Sequence, residues 1–308
     1  MNAPAAHTSA PQRAIQIANP LTESVKPIVR WAGGKTKLLG DLIARMPSSF
    51  RHYVEPFVGG GSLFWKLFGA GDCAQRATIA DINLDLIGMY IAIATDPDAV
   101  NAELDVFRKS PNGGTGEAVY YGARAAWNEI RGTWSPAKRA ATMIYLNRAC
   151  FNGLWRVNAD GAFNVPIGAH KTIGLPTRER LLAASAVLAR AEIHCASFQD
   201  TLETVGDGDF VYLDSPYMSA PTSQNGGNGG FTSYASGGFG EASHRLLAEA
   251  ARKAVTRGAR VMLSQADVPL AHELYPDFRI EVVEAPRSIN SKGSARGCVR
   301  ELILRGGY

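Results

Sequence analysis

Cysteine is scarce: the 308 residues hold four, Cys73, Cys150, Cys195 and Cys298, far apart and without a Cys-x-x-Cys pair. That spacing argues against a zinc site and a disulfide framework and suits a reducing, cytoplasmic compartment. The six histidines (His7, His52, His170, His194, His244 and His272) show no His-x-x-x-His spacing, so no structural or catalytic metal is implied. No apolar run approaches the roughly 18 residues of a membrane-spanning helix, and no membrane partner is expected. Residues 1–24, rich in Ala, Pro, Thr and Ser, have neither the basic start nor the apolar stretch of a secretory signal and read as a disordered tail.

What the chain does have is a 46% hydrophobic composition, enough for a large core. Its net charge of +4 is unevenly placed: between Arg108 and Arg190 there are 12 Lys or Arg against four Asp or Glu, while the remainder is net acidic. Such asymmetry suits a segment facing a polyanion, because phosphate neutralisation supplies most sequence-independent DNA affinity. Taken alone, the charge fits a solvated helical surface better.

Short apolar runs ending in a polar residue or glycine, at Tyr53 to Phe57, Ala77 to Asp81, Asp209 to Asp214 and Arg260 to Ser264, read as buried parallel strands. Helical spacing follows in Ser62 to Phe68, Asn83 to Ala94 and Glu241 to Thr256, so an α/β fold with a doubly wound, mostly parallel, Rossmann-like sheet is expected. Strands near Arg279 to Val283 and Val299 to Leu304 would complete it. The alternation breaks over 96–190. Helical segments there (Glu117 to Arg131, Pro136 to Ala149, Thr177 to Arg190) surround a hairpin, Leu154 to Val157 and Phe163 to Pro166, turning at Asp160-Gly161. Residues 25–95 and 191–308 thus form the sheet domain and 96–190 a mostly helical insertion containing a β-hairpin. The stretch Met218 to Gly240 holds seven glycines and is expected to order only with a ligand.

Phe57-Val58-Gly59-Gly60-Gly61 lies between the first strand and a helix, where glycines let the backbone turn tightly and approach a ligand. Asp81 ends the next strand, and an acid there can accept hydrogen bonds from ribose hydroxyls. A dinucleotide dehydrogenase is disfavoured because its third glycine would fall at Phe64. Gly34-Lys35-Thr36 imitates a phosphate loop, but the required earlier glycine is Val29. Trp31 and Lys35, bracketing two glycines, instead suit a pocket for a ligand with a flat base and a carboxylate, although a tryptophan is more commonly a core aromatic. Asp214-Ser215-Pro216-Tyr217 leaves the carboxyl end of a strand, the edge where open α/β sheets hold ligands; by itself it is no more than a turn.

In conjunction these segments resemble the Dam-like DNA adenine methyltransferases. The resemblance rests on Arg30 to Lys35, Phe57 to Gly61, Asp81-Ile82-Asn83, Leu146-Asn147-Arg148, Asn152-Gly153-Leu154, Gly161 to Gly168, Phe231 to Tyr234 and Arg287 to Asn290, in the family's order over about residues 27 to 304. It implies a methyltransferase sheet with 96–190 as the DNA target-recognition insertion, S-adenosylmethionine as cofactor and double-stranded DNA as partner. A restriction endonuclease of the same system is a candidate partner, and GATC is the first guess for the recognition sequence. By the same resemblance Trp31, Lys35, Phe57, Gly59, Gly61, Asp81 and Asp214 would contact the cofactor, and Asp214, Ser215, Pro216 and Tyr217 would hold the flipped base. The family's tetrapeptide is Asp-Pro-Pro-Tyr; here Ser215 replaces the first proline.

An adenine amine is a poor nucleophile because its lone pair is delocalised into the ring. The Asp214 carboxylate and the Ser215 carbonyl can each accept one amine hydrogen and aim the lone pair at a methyl for direct displacement, while Tyr217 stacks on the base. Ser215 keeps the main-chain acceptor but loses the fixed φ of a proline. Arg148, Phe151, Asn152, Arg156, Pro166 and Lys171 are the expected DNA contacts, Arg156 as a reader of a guanine edge or a phosphate; Trp155 and Phe163 are expected to pack inside. Lys292, Arg296 and Arg300 are further candidates for backbone contacts. A DNA cytosine N4-methyltransferase is the alternative, and a catalytically impaired sequence-specific DNA-binding relative, supported only by Ser215, is another.

Overall fold

The structure is a computed structural model describing residues 25–69, 75–218, 239–286 and 298–308. The expected tail 1–24, the segments Phe231 to Tyr234 and Arg287 to Asn290, and Lys292 and Arg296 lie outside the described residues. Among these, seven strands form one sheet: β1 (His52–Glu55), β2 (Arg76–Asp81), β3 (Ala191–Cys195), β4 (Asp209–Leu213), β5 (Arg260–Ala266), β6 (Arg279–Pro286) and β7 (Cys298–Gly306), in the order β3-β2-β1-β4-β5-β7-β6. The first five are parallel, and β7 runs antiparallel between β5 and β6. Strand order reverses between β1 and β4, which makes the crevice beyond their carboxyl ends the topological switch point.

Side-chain alternation along the strands separates two apolar layers. Tyr53, Phe210, Tyr212 and Met262 face one layer; Val54, Val211, Leu213, Val261 and Leu263 face the other. Helices α1 (Leu39–Ala44), α2 (Ser62–Phe68) and α3 (Leu84–Thr95) lie on the first side. So does the segment beyond α3, comprising α4 (Pro97–Arg108), α5 (Glu117–Ile130), α6 (Pro136–Ala149) and α7 (Arg178–Leu188). Helices α8 (Phe198–Glu203), α9 (Glu241–Thr256) and α10 (Pro269–Leu274) cover the second. No helix among the described residues is long and apolar enough to cross a membrane.

The mostly parallel α/β sheet matches the sequence expectation, and α2 and α9 begin and end where their spacing predicts. Helix α4 was not anticipated, although Asp96 caps it through the Ala99 N–H and Pro97 occupies its first turn. Strand β3 was missed because it is the sheet edge: Glu192, His194 and Cys195 are exposed, so no apolar run marks it.

Between α3 and β3 the chain does not hang apart from the sheet. Helix α6 is buried at nine positions and packs on α3 and α4, sharing the core that contains Tyr53 and Ile79. Four of the segment's arginines pair with acids, two of them with Asp85 of α3. Arg131 and Arg139 both meet Asp85, Arg178 meets Asp98 and Arg108 meets Asp105.

The expected hairpin is present as a chain reversal but not as a two-stranded ladder. Two isolated antiparallel bridges, Val157 with Phe163 and Cys150 with Ile167, hold it. The bridge at Val157 is flanked by hydrogen bonds from the Asn158 N–H to the Ala162 carbonyl and from the Asn164 N–H to the Arg156 carbonyl, so the main-chain groups of Phe163 and Val165 face away from the partner segment and meet helix α5 instead. Asn128 donates to the Phe163 carbonyl at 3.0 Å and accepts from the Phe163 N–H at 2.8 Å, and the Tyr120 hydroxyl and Arg124 donate to the Val165 carbonyl. A 3-10 turn at Phe151–Gly153, with Asn152 and Gly153 in the left-handed region, breaks the pairing between the two bridges.

Candidate active site

The carboxyl ends of β1, β2 and β4 carry one acid each, Glu55, Asp81 and Asp214. Asp214 follows β4 at once, and its Oδ1 lies 2.6 Å from Lys35 Nζ and accepts from Ser264 Oγ at 3.0 Å. Ser264 in turn shares a 3.0 Å hydrogen bond with the buried Tyr212 hydroxyl. Lys35 also donates to the Gly33 carbonyl at 2.6 Å and sits 4.4 Å above the Tyr217 ring. The Tyr217 hydroxyl donates to Glu301 Oε2 on β7 at 2.6 Å. Burial, with the charges of Asp214 and Glu301, pushes its ionisation well above the ordinary tyrosine range, so it stays a neutral donor.

The glycine loop after β1 wraps the end of β2. Gly59 N–H donates to Asp81 Oδ2 at 3.0 Å and Asn83 N–H to Asp81 Oδ1 at 2.9 Å, while the Tyr90 hydroxyl donates to the Gly59 carbonyl at 2.8 Å. Burial raises the Asp81 carboxyl, and these main-chain donors oppose the shift. Glycine is required at 59: φ is +47°, and a Cβ would come within 2.7 Å of Trp31 Cδ1. Glu55 is fully buried, accepts from the Tyr53 hydroxyl at 2.8 Å, and is held well above the carboxylate range by burial, reinforced by Asp214 and Asp81. Beside Asp81, Ile82 and Leu84 leave most of their apolar surface exposed.

The structure therefore brings Trp31, Lys35, Gly59, Asp81, Asp214 and Tyr217 to one edge of the sheet. Gly61 opens α2 at φ +67°. Phe57 turns to the α9 layer, stacked on Phe198 at 5.6 Å. Ser215 is buried and Pro216 partly so.

Of the expected DNA contacts, Phe151, Asn152, Arg156, Pro166 and Lys171 are exposed, with Arg156 Nε held by Asn164 Oδ1 at 2.8 Å. Arg148 is a correction. Its guanidinium donates to the carbonyls of Pro27, Ile28 and Gly174, and burial beside Arg180 and Arg30 pulls it down to about 10. It straps α6 to the segment ahead of β1, and a DNA role for it is dropped. Arg300 pairs with Asp267. Trp155 and Phe163 are buried and in ring contact, as expected.

Sequence reasoning missed Glu55, Ser264, Gln265 and Glu301, and gave Asn147 no role of its own. Asn147 accepts from the Arg30 N–H and donates to the Arg30 carbonyl, each at 2.7 Å, and so fixes the start of the Trp31 to Lys35 turn. Ser264 and Gln265 carried a faint signal, two polar residues closing the apolar run of a buried strand.

A sequence model described as D12 class N6 adenine-specific DNA methyltransferase matches residues 31–289. A protein named Type II methyltransferase M1.LlaDCHI from Lactococcus lactis subsp. cremoris is 35% identical over 91% of this chain and 95% of its own. Type II methyltransferase M.MjaIII of Methanocaldococcus jannaschii is 36% identical over 88% of this chain and 95% of its own. The DNA adenine methylase of Escherichia coli (strain K12) is 36% identical over 90% and 94%.

Proposed function

In a chain that belongs to the D12 class of N6 adenine-specific DNA methyltransferases, we propose that the switch-point acids work with S-adenosylmethionine on an adenine turned out of duplex DNA. Adenine-specific DNA methylation is the activity of the family, which sets aside the cytosine reading. The convergence of Asp214, Lys35 and Tyr217 beyond β4 carries the proposal.

The residues present fit the cofactor. Gly59 lets the loop close against the Trp31 indole beside Asp81, Asp81 retains acceptor capacity for ribose hydroxyls, and exposed Ile82 offers an apolar face for a base. Trp31, Lys35, Phe57, Gly59, Gly61 and Asp81 are the proposed cofactor residues. S-adenosylmethionine, when bound, supplies a methyl made electrophilic by its sulfonium. Both hydrogen-bonding contacts of Asp214 described above fall on Oδ1, so Oδ2 is the oxygen assigned to one hydrogen of the adenine amine; the Ser215 carbonyl takes the other. Two acceptors in those directions turn the nitrogen lone pair out of the ring. Tyr217, with its hydroxyl anchored to Glu301, stacks on the base and offsets part of its unstacking, a few kcal/mol.

Residues 96–190 are proposed as the recognition segment, with Phe151, Asn152, Arg156, Pro166 and Lys171 facing duplex DNA. A restriction endonuclease partner, to which the Type II names of two relatives point, and GATC, the first guess from the resemblance, are proposals. The deciding experiment incubates random-sequence DNA with labelled S-adenosylmethionine, maps the modified bases, and repeats the assay with Asp214→Ala. Label on N6 of adenine at one short sequence, lost in the variant while the fold persists, is expected. DNA binding by the wild type without any label would favour the impaired relative.

A further inference from the structure

Ser215 lacks the ring that would fix its φ, yet it is only 2% exposed and Gln265 beside it is 0% exposed. The parallel register pairs Leu213 with Leu263. Continued past the end of β4, it sets Asp214 beside Ser264 and Ser215 beside Gln265 on alternate faces. The bonds obey that register: Ser264 reaches Asp214, and Gln265 Nε2 donates to Ser215 Oγ at 3.4 Å. The other end of the same amide, Oε1, accepts from the Met218 N–H at 2.7 Å and the Ala266 N–H at 3.0 Å. Those two N–H donors fix which end is oxygen, because a flipped amide would set its NH₂ against them. The NH₂ end therefore faces Ser215. One buried side chain therefore grips both ends of the stretch Ser215 to Met218, which carries Pro216 and Tyr217.

We infer that Gln265 is a positioning residue that fixes residue 215 through its hydroxyl, a side-chain clamp in place of a proline ring, and so keeps the Ser215 carbonyl aimed at the base amine. The inference rests on the reading of Asp214 and Ser215 as the two acceptors. Residues 215 and 265 then form a matched pair. A proline at 215 would supply its own φ restraint but remove the partner of a buried NH₂.

The test measures single-turnover methyl transfer to duplex DNA and cofactor affinity for wild type, Ser215→Ala, Gln265→Met, Ser215→Ala/Gln265→Met, Ser215→Pro and Ser215→Pro/Gln265→Met. Ser215→Ala removes one hydroxyl and should lower the transfer rate about ten-fold, as expected for loss of one hydrogen bond that orients the acceptor. Cofactor affinity should stay within about two-fold, since the loss lies in the chemical step. The Ala/Met double variant should be no slower than Gln265→Met alone, because Ser215→Ala removes only a hydrogen bond that Gln265→Met also removes. Ser215→Pro should give no gain beside Gln265 but should raise the rate of Gln265→Met. Full transfer by Ser215→Ala, multiplying losses in the double variant, or faster transfer by Ser215→Pro in the Gln265 background would each overturn the inference. Asp214→Ala in the same assay separates the two levels: transfer by that variant would sink the parent reading, whereas an inert Asp214→Ala beside a fully active Ser215→Ala sinks only the role of Gln265.

Discussion

Lys35 Nζ lies 2.6 Å from Asp214 Oδ1, joining the turn ahead of β1 to the end of β4 through a largely buried ion pair. Removing one partner of such a pair leaves the other charge uncompensated in a poorly hydrated place. Lys35→Met is therefore expected to lower stability by about 2–4 kcal/mol. Lys35→Met/Asp214→Asn should lose less than the sum of the single losses, because neither charge is then stranded. Chemical denaturation of the four proteins checks this, and additive losses would show that the pair is not coupled.

Gly59→Ala probes the loop. With φ at +47° and Trp31 Cδ1 2.7 Å from the added Cβ, either the loop or the indole must move. Cofactor affinity is expected to fall by at least about ten-fold, the equivalent of 1.4 kcal/mol, with the circular dichroism of the fold retained. Calorimetric titration with S-adenosylmethionine reads this directly, and unchanged affinity would remove the loop from the proposed cofactor site.

The sheet was legible because its central strands are buried on both faces and appear as apolar runs, and because the glycine loop and Asp81 fall at strand ends. Edge strand β3, half-exposed, left no such run. The tetrapeptide at 214 could be read, but its support could not: Ser264, Gln265 and Glu301 lie about 50 to 84 residues away and meet it only through strand register. Arg148 misled for a related reason. A sequence records a positive charge and not its direction, and this one points inward to three carbonyls.

Arg148 and Arg156 should consequently behave oppositely. Arg148→Ala leaves the carbonyl of buried Ile28 and that of part-buried Pro27 without this donor and is expected to cost about 1–3 kcal/mol of stability while leaving the salt dependence of DNA binding unchanged. Arg156→Ala, at an exposed position, should shift stability by no more than about 0.5 kcal/mol. It should then either relax choice at one base pair or reduce the salt slope by about one unit if it meets a phosphate. A salt slope altered by Arg148→Ala but not by Arg156→Ala would reverse the assignment.

His244 sits in the first turn of α9, 3% exposed, its ring 4.7 Å from that of Phe239 and its Nδ1 without a hydrogen-bond partner. Burial pulls it from 6.5 down to about 4. Between those values the unfolded chain binds the proton and the folded one does not, so stability rises with pH across the window. The advantage of the neutral ring is complete above pH 6.5 and disappears as pH falls toward 4, at most about 3 kcal/mol over the whole span. His52, also lowered by burial, adds slope of the same sign and is unaffected by a change at 244. His244→Met should therefore match the wild type near pH 7.5 and exceed it at pH 5, with a flatter stability profile. Urea denaturation across that range is the measurement, and superimposable profiles would show that the imidazole is hydrated or paired in solution.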